Sequence, residues 1–199
     1  MKESLSSTAQ LSFFLEIDVT EAQKLRRELN VGLPILLIKA SAEAIKRVPK
    51  INSVTQNNQV SYFDQIDIGF AVALDDGLIV PVIRSVQEMN VSDISSNVVT
   101  LTKMSREGNL STDDVVGGTF TISVLGVVDG FTPILNSGQS ALLGIGRSVE
   151  KPVVKNKEIT IREMMTVSLT VDHQVIDGAV AAAFLRRFQQ LIERPAGLK

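Results

Sequence analysis

The 199-residue chain is most simply one domain, and its length is sufficient for a substantial hydrophobic core. Its formal net charge of -2 gives no support to nucleic-acid binding, because a basic face would be needed to neutralise phosphates. The sequence has no cysteine, which excludes disulfides, a thiolate nucleophile and cysteine metal ligands. No apolar run approaches the length of a membrane span and no signal-peptide segment opens the chain, so we expect neither a membrane protein nor export.

The first half of the chain alternates predicted strands and helices. A strand is predicted over 11–19, then a short helix with Thr20 as its N-cap, and then a helix over 34–48 that ends at Pro49. Strands are expected at 58–63, 66–74 and 78–83, and the turn 75–77, Asp-Asp-Gly, predicts a hairpin between the last two. Asp93 is the predicted cap of a helix that runs to about Arg106.

The second half is mostly predicted β structure and closes with a helix. The expected strands span 118–124, 140–148, 152–154 and 159–171, with a turn before the last of them, and the final helix spans 178–193. No repeat, low-complexity tract or Pro/Ala linker divides the chain. We therefore predict an α+β fold in which a few helices cover a large mixed sheet.

The only histidine, His173, lies between a predicted strand and the final helix. Such a position holds a side chain from both sides and still lets it face a cleft, which suits a general base. A lone histidine is more often structural than catalytic, so the flanking residues must decide between the two roles. Asp177 is expected to cap the final helix and to steady the loop that carries His173.

The segment 117–126, Gly-Gly-Thr-Phe-Thr-Ile-Ser-Val-Leu-Gly, is the second candidate for chemistry. Strand alternation predicts that Thr119, Thr121 and Ser123 present their hydroxyls on one face. A preorganised hydroxyl aimed at an oxyanion contributes roughly 3 to 4 kcal/mol in comparable sites. A threonine-rich strand with one solvated face explains the segment about equally well, so both interpretations stay open on this segment alone.

Two other kinds of site fit less well. Asp172, His173 and Asp177 could ligate a metal, but zinc sites typically use more histidine or cysteine than this chain contains, so no metal is expected. A Ser-His-Asp hydrolase is disfavoured because Gly-x-Ser-x-Gly is absent and Ser123 precedes Val124 rather than a helix.

The motif Asp-His-x-x-x-Asp-Gly at 172–178 closely resembles the signature of the acyltransferase component of 2-oxo acid dehydrogenase complexes, Asp-His-Arg-x-x-Asp-Gly-Ala, with Gln174 in place of arginine. Chloramphenicol acetyltransferase carries a related His-His-x-x-x-Asp-Gly. The segment 117–126 is similar to the acyltransferase family's Gly-Gly-x-Phe-Thr-Ile-Ser-Asn-Leu-Gly, with Val124 in place of asparagine. Further blocks that resemble this family stand in family order at 6–11, 18–20, 38–40, 47–49, 66–73, 77–84, 131–136 and 139–146.

This resemblance implies a chloramphenicol acetyltransferase-like fold, a two-layer α+β sandwich, with 1–199 as a single catalytic domain. It implies that His173 takes a proton from a thiol of coenzyme A or dihydrolipoamide, and that Ser123 stabilises the oxyanion formed when the thiolate attacks a thioester. A homotrimer is expected, with the histidine of one subunit facing the serine of the next, and assembly into a larger cage is left open. No lipoyl domain or peripheral-subunit-binding domain is recognised, so the lipoyl group is expected from another domain or chain.

The implied function is acyl transfer between dihydrolipoamide and coenzyme A, with a lipoyl domain and the dehydrogenase and dihydrolipoamide dehydrogenase components as partners. The block at 6–11 favours the pyruvate or acetoin type, and therefore acetyl transfer, over the succinyl and branched-chain types. The expected compartment is the cytoplasm, or the mitochondrial matrix in a eukaryote. Two alternatives are a non-catalytic core subunit on the same fold, against which His173 argues, and a free-standing coenzyme A-dependent acetyltransferase. The residues that hold the coenzyme A phosphates are not predicted, because the chain has no glycine-rich phosphate loop.

Overall fold

The elements of the computed structural model alternate between helices and strands before a long β hairpin and a final helix, and residues 2–57 and 59–198 are described. In chain order they are α1 Lys2–Ser7, β1 Gln10–Asp18, α2 Thr20–Glu28, α3 Leu33–Arg47, β2 Ser53–Gln56, β3 Gln59–Tyr62, β4 Ile68–Phe70, β5 Val72–Leu74, β6 Gly77–Ile79, β7 Val82–Ile83, α4 Val91–Glu107, β8 Phe120–Val124, β9 Ala141–Lys155, β10 Glu158–Asp172 and α5 Gly178–Glu193. Short 3₁₀ turns lie at Pro49–Ile51, Val86–Glu88, Thr112–Asp114 and Pro195–Leu198.

The main sheet has six strands in the order β1-β10-β9-β8-β4-β7. β8 runs parallel to both of its neighbours, β9 and β4, and the remaining pairs are antiparallel, so the sheet is mixed as predicted. β9 and β10 are 15 residues each and form a long hairpin, whose turn places Asn156 and Lys157 at positive φ. Two small hairpins, β2-β3 and β5-β6, lie outside this sheet.

Helices α2, α3 and α5 form the second layer and pack on one face of the sheet. Phe120 of β8 meets Phe184 of α5 with ring centroids 5.5 Å apart, and Phe184 stacks on Phe188 at 6.2 Å. All three rings are fully buried, and aromatic pairs in this range add stability beyond the area they bury. The predicted two-layer α+β architecture is confirmed.

Two predicted helix caps are wrong. The N-cap of α2 is Val19, and the backbone N–H of Thr20 donates to Asp18 Oδ1 at 3.1 Å. The N-cap of α4 is Asn90, whose side chain accepts from the N–H of Asp93 at 2.9 Å, and the carboxylate of Asp93 accepts from the N–H of Asn90 at 3.2 Å. In both cases a polar residue two or three positions earlier is the better-placed acceptor.

The strand predictions are correct in position and wrong in continuity. The predicted strands 66–74 and 78–83 are each divided, because β4 and β7 belong to the main sheet while β5 and β6 pair with each other, which confirms the hairpin. The predicted strands 140–148 and 152–154 are one strand, β9, because β10 pairs along its length. Residue 58, the first of the predicted strand 58–63, lies outside the described residues.

Strand β9 continues through Pro152, a residue that usually interrupts a strand. β8 ends opposite Ile145, so one edge of β9 has no strand beside it beyond that point, and a proline without an N–H is tolerated there.

The short polar helix α1 was not predicted. Throughout 2–57 and 59–198, every helix is too short or too polar to cross a bilayer.

Candidate active site

His173 lies in the turn between β10 and α5. Its backbone N–H donates to the carbonyl of Ala9 at 2.8 Å. The buried carboxylate of Asp172 accepts from the backbone N–H groups of Ala9 and Gln174, both at 3.1 Å. The turn is therefore fixed to the residue that precedes β1. His173 itself is exposed, and its imidazole makes no hydrogen bond or ion pair with any described residue.

Asp177 is the N-cap of α5, and its Oδ1 accepts from the N–H of Val180 at 2.9 Å, which confirms the predicted capping role. The bonds that hold the His173 turn come from Asp172, so a steadying role for Asp177 stays a prediction. Gln174 donates from its side-chain amide to the carbonyl of Ser7 at 3.1 Å. This neutral amide therefore adds a third hydrogen bond between the turn and the N-terminal residues, beside the two made by Ala9.

Ser123 lies near the end of β8, on the face of the sheet away from the helices. Strand alternation directs Phe120 and Ile122 into the core and leaves Thr121 and Ser123 on the other face, as predicted. Ser123 is half-buried, and its hydroxyl forms no hydrogen bond within the described part of the chain. That hydroxyl is therefore available to donate to a ligand.

The other two hydroxyls of the predicted row are already used by the protein. Thr119 is buried just before β8 and donates to the side-chain oxygen of Asn52. Thr121 donates to Gln139 Oε1 at 2.8 Å and accepts from Asn136 Nδ2 at 2.9 Å. Sequence reasoning missed this network because its members lie in loops far along the chain and carry no spacing signal.

A cavity of about 220 Å³ opens beside Ser123. Its walls are mostly apolar, with Ala71 and Val80 on one side and Phe131 and Ile134 on another. Apolar walls with a few convergent polar groups are typical of small-molecule sites. No charged side chain lines the cavity, so groups that would hold the coenzyme A phosphates are not among its residues.

The segment 127–136, which we call the strap, forms one wall of this cavity and crosses β9 and β10. The hydroxyl of Ser168 donates to the carbonyl of Phe131 at 2.6 Å. A Cβ at Gly144 would lie 2.5 Å from Ser168 Oγ and 3.1 Å from Pro133, and a Cβ at Gly146 would overlap the backbone of the strap. The two glycines therefore allow the strap to lie this close to the sheet.

Within one chain, His173 and Ser123 are far apart. The strand register aligns Ser123 with Gly144 and Gly144 with Ser168, which lies five residues before His173. Strand dimensions separate the two by about 16 Å along the strands and about 10 Å across them. A single chain therefore does not bring the predicted base and the predicted oxyanion donor to one reacting group. Within the described residues, no group of three or more His, Asp or Glu side chains could hold a metal ion.

Comparisons with known proteins identify the family to which the chain belongs. The family model for the 2-oxoacid dehydrogenases acyltransferase (catalytic domain) matches residues 1–199. The mitochondrial dihydrolipoyllysine-residue succinyltransferase component of 2-oxoglutarate dehydrogenase complex 1 from Arabidopsis thaliana is 39% identical over 210 residues, covering 100% of this chain and 45% of the relative. The chain spans about half the length of the curated relatives it matches.

Solved structures agree on the fold. The dihydrolipoamide acetyltransferase of Azotobacter vinelandii has a TM-score of 0.92 and 33% identity, covering 99% of this chain and 86% of that chain. The catalytic mechanism of that enzyme has been investigated through a serine, a histidine and an asparagine four residues after the histidine. Chloramphenicol acetyltransferase, at 16% identity, shares the fold with a TM-score of 0.66 over 96% of this chain and 94% of its own. The chain belongs to the family of 2-oxoacid dehydrogenase acyltransferase catalytic domains.

Proposed function

We propose that this chain is the catalytic domain of a dihydrolipoamide acyltransferase, which moves an acyl group between dihydrolipoamide and coenzyme A at the core of a 2-oxo acid dehydrogenase complex. The observation that carries the proposal is the pair His173 and Ser123. Both lie in family motifs of a chain that matches the family along its whole length. Neither side chain has a hydrogen-bond partner among the described residues, as expected of groups that contact substrate. The same observation disfavours a non-catalytic scaffold.

In this mechanism the neutral imidazole of His173 accepts the proton of the attacking thiol. The thiolate sulfur forms a bond to the carbonyl carbon of the thioester, and the carbonyl electron pair moves to oxygen. The Ser123 hydroxyl donates a hydrogen bond to that oxyanion. Collapse restores the carbonyl and breaks the original carbon–sulfur bond, and the departing sulfur takes the proton from the imidazolium. The acyl group has then changed carriers with no net oxidation.

Asp177 is proposed to lie at the same site, because it stands four residues after His173, as the investigated asparagine does after the histidine of the Azotobacter enzyme. Its hydrogen bond to Val180 supports a positioning role, since it holds the start of α5 directly after the His173 turn.

We propose a homotrimer in which His173 of one subunit faces Ser123 of the next. The distance between these residues within one chain supports this arrangement, because proton transfer requires hydrogen-bond contact with the reacting thiol. A lipoyl domain and the dehydrogenase and dihydrolipoamide dehydrogenase components are the proposed partners, and assembly into a larger cage stays a prediction. The mitochondrial and bacterial relatives support the cytoplasm of a bacterium or the mitochondrial matrix as the compartment.

The acyl group is proposed to be short, either succinyl or acetyl. The predicted pyruvate or acetoin type is not supported, because curated relatives that are 37 to 40% identical to this chain are succinyltransferase components of 2-oxoglutarate dehydrogenase complexes. The Azotobacter structure is that of an acetyltransferase. Because no charged side chain of this chain lines the Ser123 cavity, a succinyl carboxylate would need solvent or an adjoining subunit as its partner.

The test is acyl transfer from succinyl-CoA and from acetyl-CoA to free dihydrolipoamide, with the parent and His173→Ala compared at the same oligomeric state. We expect transfer by the parent and a loss of roughly a hundredfold or more in the variant. Lys103→Ala, on an exposed face of α4, is the control and should retain parent activity. Transfer that survives the loss of His173 would refute the mechanism. A well-folded parent that used neither of these donors nor a branched-chain one would favour the scaffold.

A further inference from the structure

Two adjacent residues at the N-terminus, Ala9 and Gln10, hold two different parts of the candidate site. Ala9 binds the His173 turn through its backbone, donating to Asp172 Oδ1 and accepting from the N–H of His173. Gln10 binds the strap through its side chain, because its Oε1 accepts from the N–H of Leu135 at 3.2 Å. Ala9 therefore contributes only main-chain atoms to its link, whereas the link made by Gln10 depends on its own side chain, which can be changed.

Gln10 belongs to a small clamp around Leu135. Its Nε2 donates to Thr8 Oγ1 at 2.9 Å and to Ser4 Oγ at 3.2 Å. The hydroxyl of Ser4 in turn donates to the carbonyl of Leu135 at 2.7 Å. Side chains of α1 and β1 thus satisfy both backbone polar groups of Leu135, a residue that is itself fully buried.

The clamp acts on the wall of the Ser123 cavity. Ile134 and Asn136, the neighbours of Leu135 on either side, both line that cavity. Asn136 also donates to Thr121, which lies on the same face of β8 as Ser123. A buried N–H that loses its acceptor must move towards another partner or remain unsatisfied, and either change disturbs the chain around it. A shift of Leu135 would displace both of its cavity-lining neighbours.

We propose that Gln10 is a positioning residue that sets the shape of the Ser123 cavity by holding Leu135. The role of the cavity in acyl transfer rests on the proposed function, whereas the position of the strap rests only on the hydrogen bonds of the clamp. Gln10 does not contact the reacting groups. The main-chain bonds of Ala9 remain when the Gln10 side chain is removed, so the His173 turn keeps its place.

The test compares Gln10→Ala, Gln10→Glu and Ser6→Ala in transfer kinetics and in hydrogen exchange. Gln10→Ala should raise KM for the acyl donor about fivefold, the effect of one lost buried hydrogen bond, and leave the pH midpoint of kcat unchanged. Hydrogen exchange should quicken over 131–136 and stay at the parent rate over 172–176. Gln10→Glu should restore part of both readouts, because a carboxylate oxygen can still accept from the N–H of Leu135, while the Ser4 and Thr8 hydroxyls already donate to carbonyls and lose only the amide donor of Gln10.

Ser6→Ala is the matched control, because the exposed Ser6 hydroxyl donates within α1 to the carbonyl of Glu3 and touches neither part of the site. The proposal is overturned if Gln10→Ala keeps the parent KM and the parent exchange over 131–136. It is also overturned if Gln10→Ala and Gln10→Glu quicken exchange equally over both 131–136 and 172–176, which would indicate general loosening. A parent that transfers no acyl group would refute the proposed function, whereas the exchange experiment would still decide whether Gln10 holds the strap.

Discussion

Complementation between two inactive variants tests the proposed interfacial site most directly. His173→Ala removes the base and leaves Ser123, and Ser123→Ala removes the oxyanion donor and leaves His173. Each variant alone should be inactive in transfer to dihydrolipoamide, because every site of a uniform trimer lacks the same group. In a mixed trimer, one interface can combine the intact histidine of one subunit with the intact serine of its neighbour.

The size of the recovery follows from random assembly of the two variants. With equal amounts and random assembly, half of the sites receive an intact histidine and half of those face an intact serine, so activity should return to about a quarter of the parent value. A site built within one chain would recover nothing, because each chain lacks one of the two groups. The separation of about 16 Å along the strands and about 10 Å across them makes recovery the expected result.

The assay is to unfold the two variants together, refold them, isolate the trimer and measure acyl transfer per subunit. The parent taken through the same cycle gives the reference value. A mixture of His173→Ala with the double variant should remain inactive, because no subunit in it contributes an intact histidine. A mixed population that refolds to trimers but shows no more activity than either variant alone would refute the interfacial site.

Three further outcomes are expected. Asp177→Ala should lower the free energy of unfolding by about 1 kcal/mol through loss of the α5 cap, and an unchanged urea midpoint would contradict that role. Gly144→Ala should lower the free energy of unfolding by about 1 to 3 kcal/mol and raise KM for the acyl donor, because its Cβ would lie 2.5 Å from Ser168 Oγ, the hydroxyl that bonds the strap; parent values of both would show that this hydroxyl can move without displacing the strap. Burial raises the pKa of Asp18, but hydrogen bonds from Thr20 and Arg162 outweigh it and lower the pKa to about 2. This contribution to stability is present above about pH 4 and is lost as the pH falls towards 2, so the stability gap between the parent and Asp18→Asn should narrow over that range.

Local patterns predicted most elements of the fold, and long-range contacts decided their ends. The helical spacing of 34–48 and the Asp-Gly start of the final helix gave α3 and α5 nearly to the residue. Helix α1 was missed because its six residues are mostly polar and have no apolar period, and its docking depends on the bond from Ser4 to Leu135, 131 residues away. Such a contact leaves no trace in the spacing of neighbouring residues.

The candidate site shows the same division. His173 and Ser123 were identifiable because the motifs around them are local, and the alternation that exposes Ser123 is a property of a single strand. Their surroundings were not predictable. Thr121 looked equivalent to Ser123 in sequence, but Gln139 and Asn136 engage its hydroxyl from a loop.

The direction of the strands explains why a second chain is needed to complete the proposed site. β10 is antiparallel to β9, and β8 is parallel to β9, so β8 and β10 run in opposite directions. His173 follows the end of β10, close to the level at which β8 begins, whereas Ser123 lies near the end of β8, so the two are separated along the strand direction. No loop movement can close that gap, since Ser123 is held within a paired strand and the His173 turn is tied to Ala9. A neighbouring copy that presents its His173 turn to the Ser123 cavity satisfies both constraints without deforming either element.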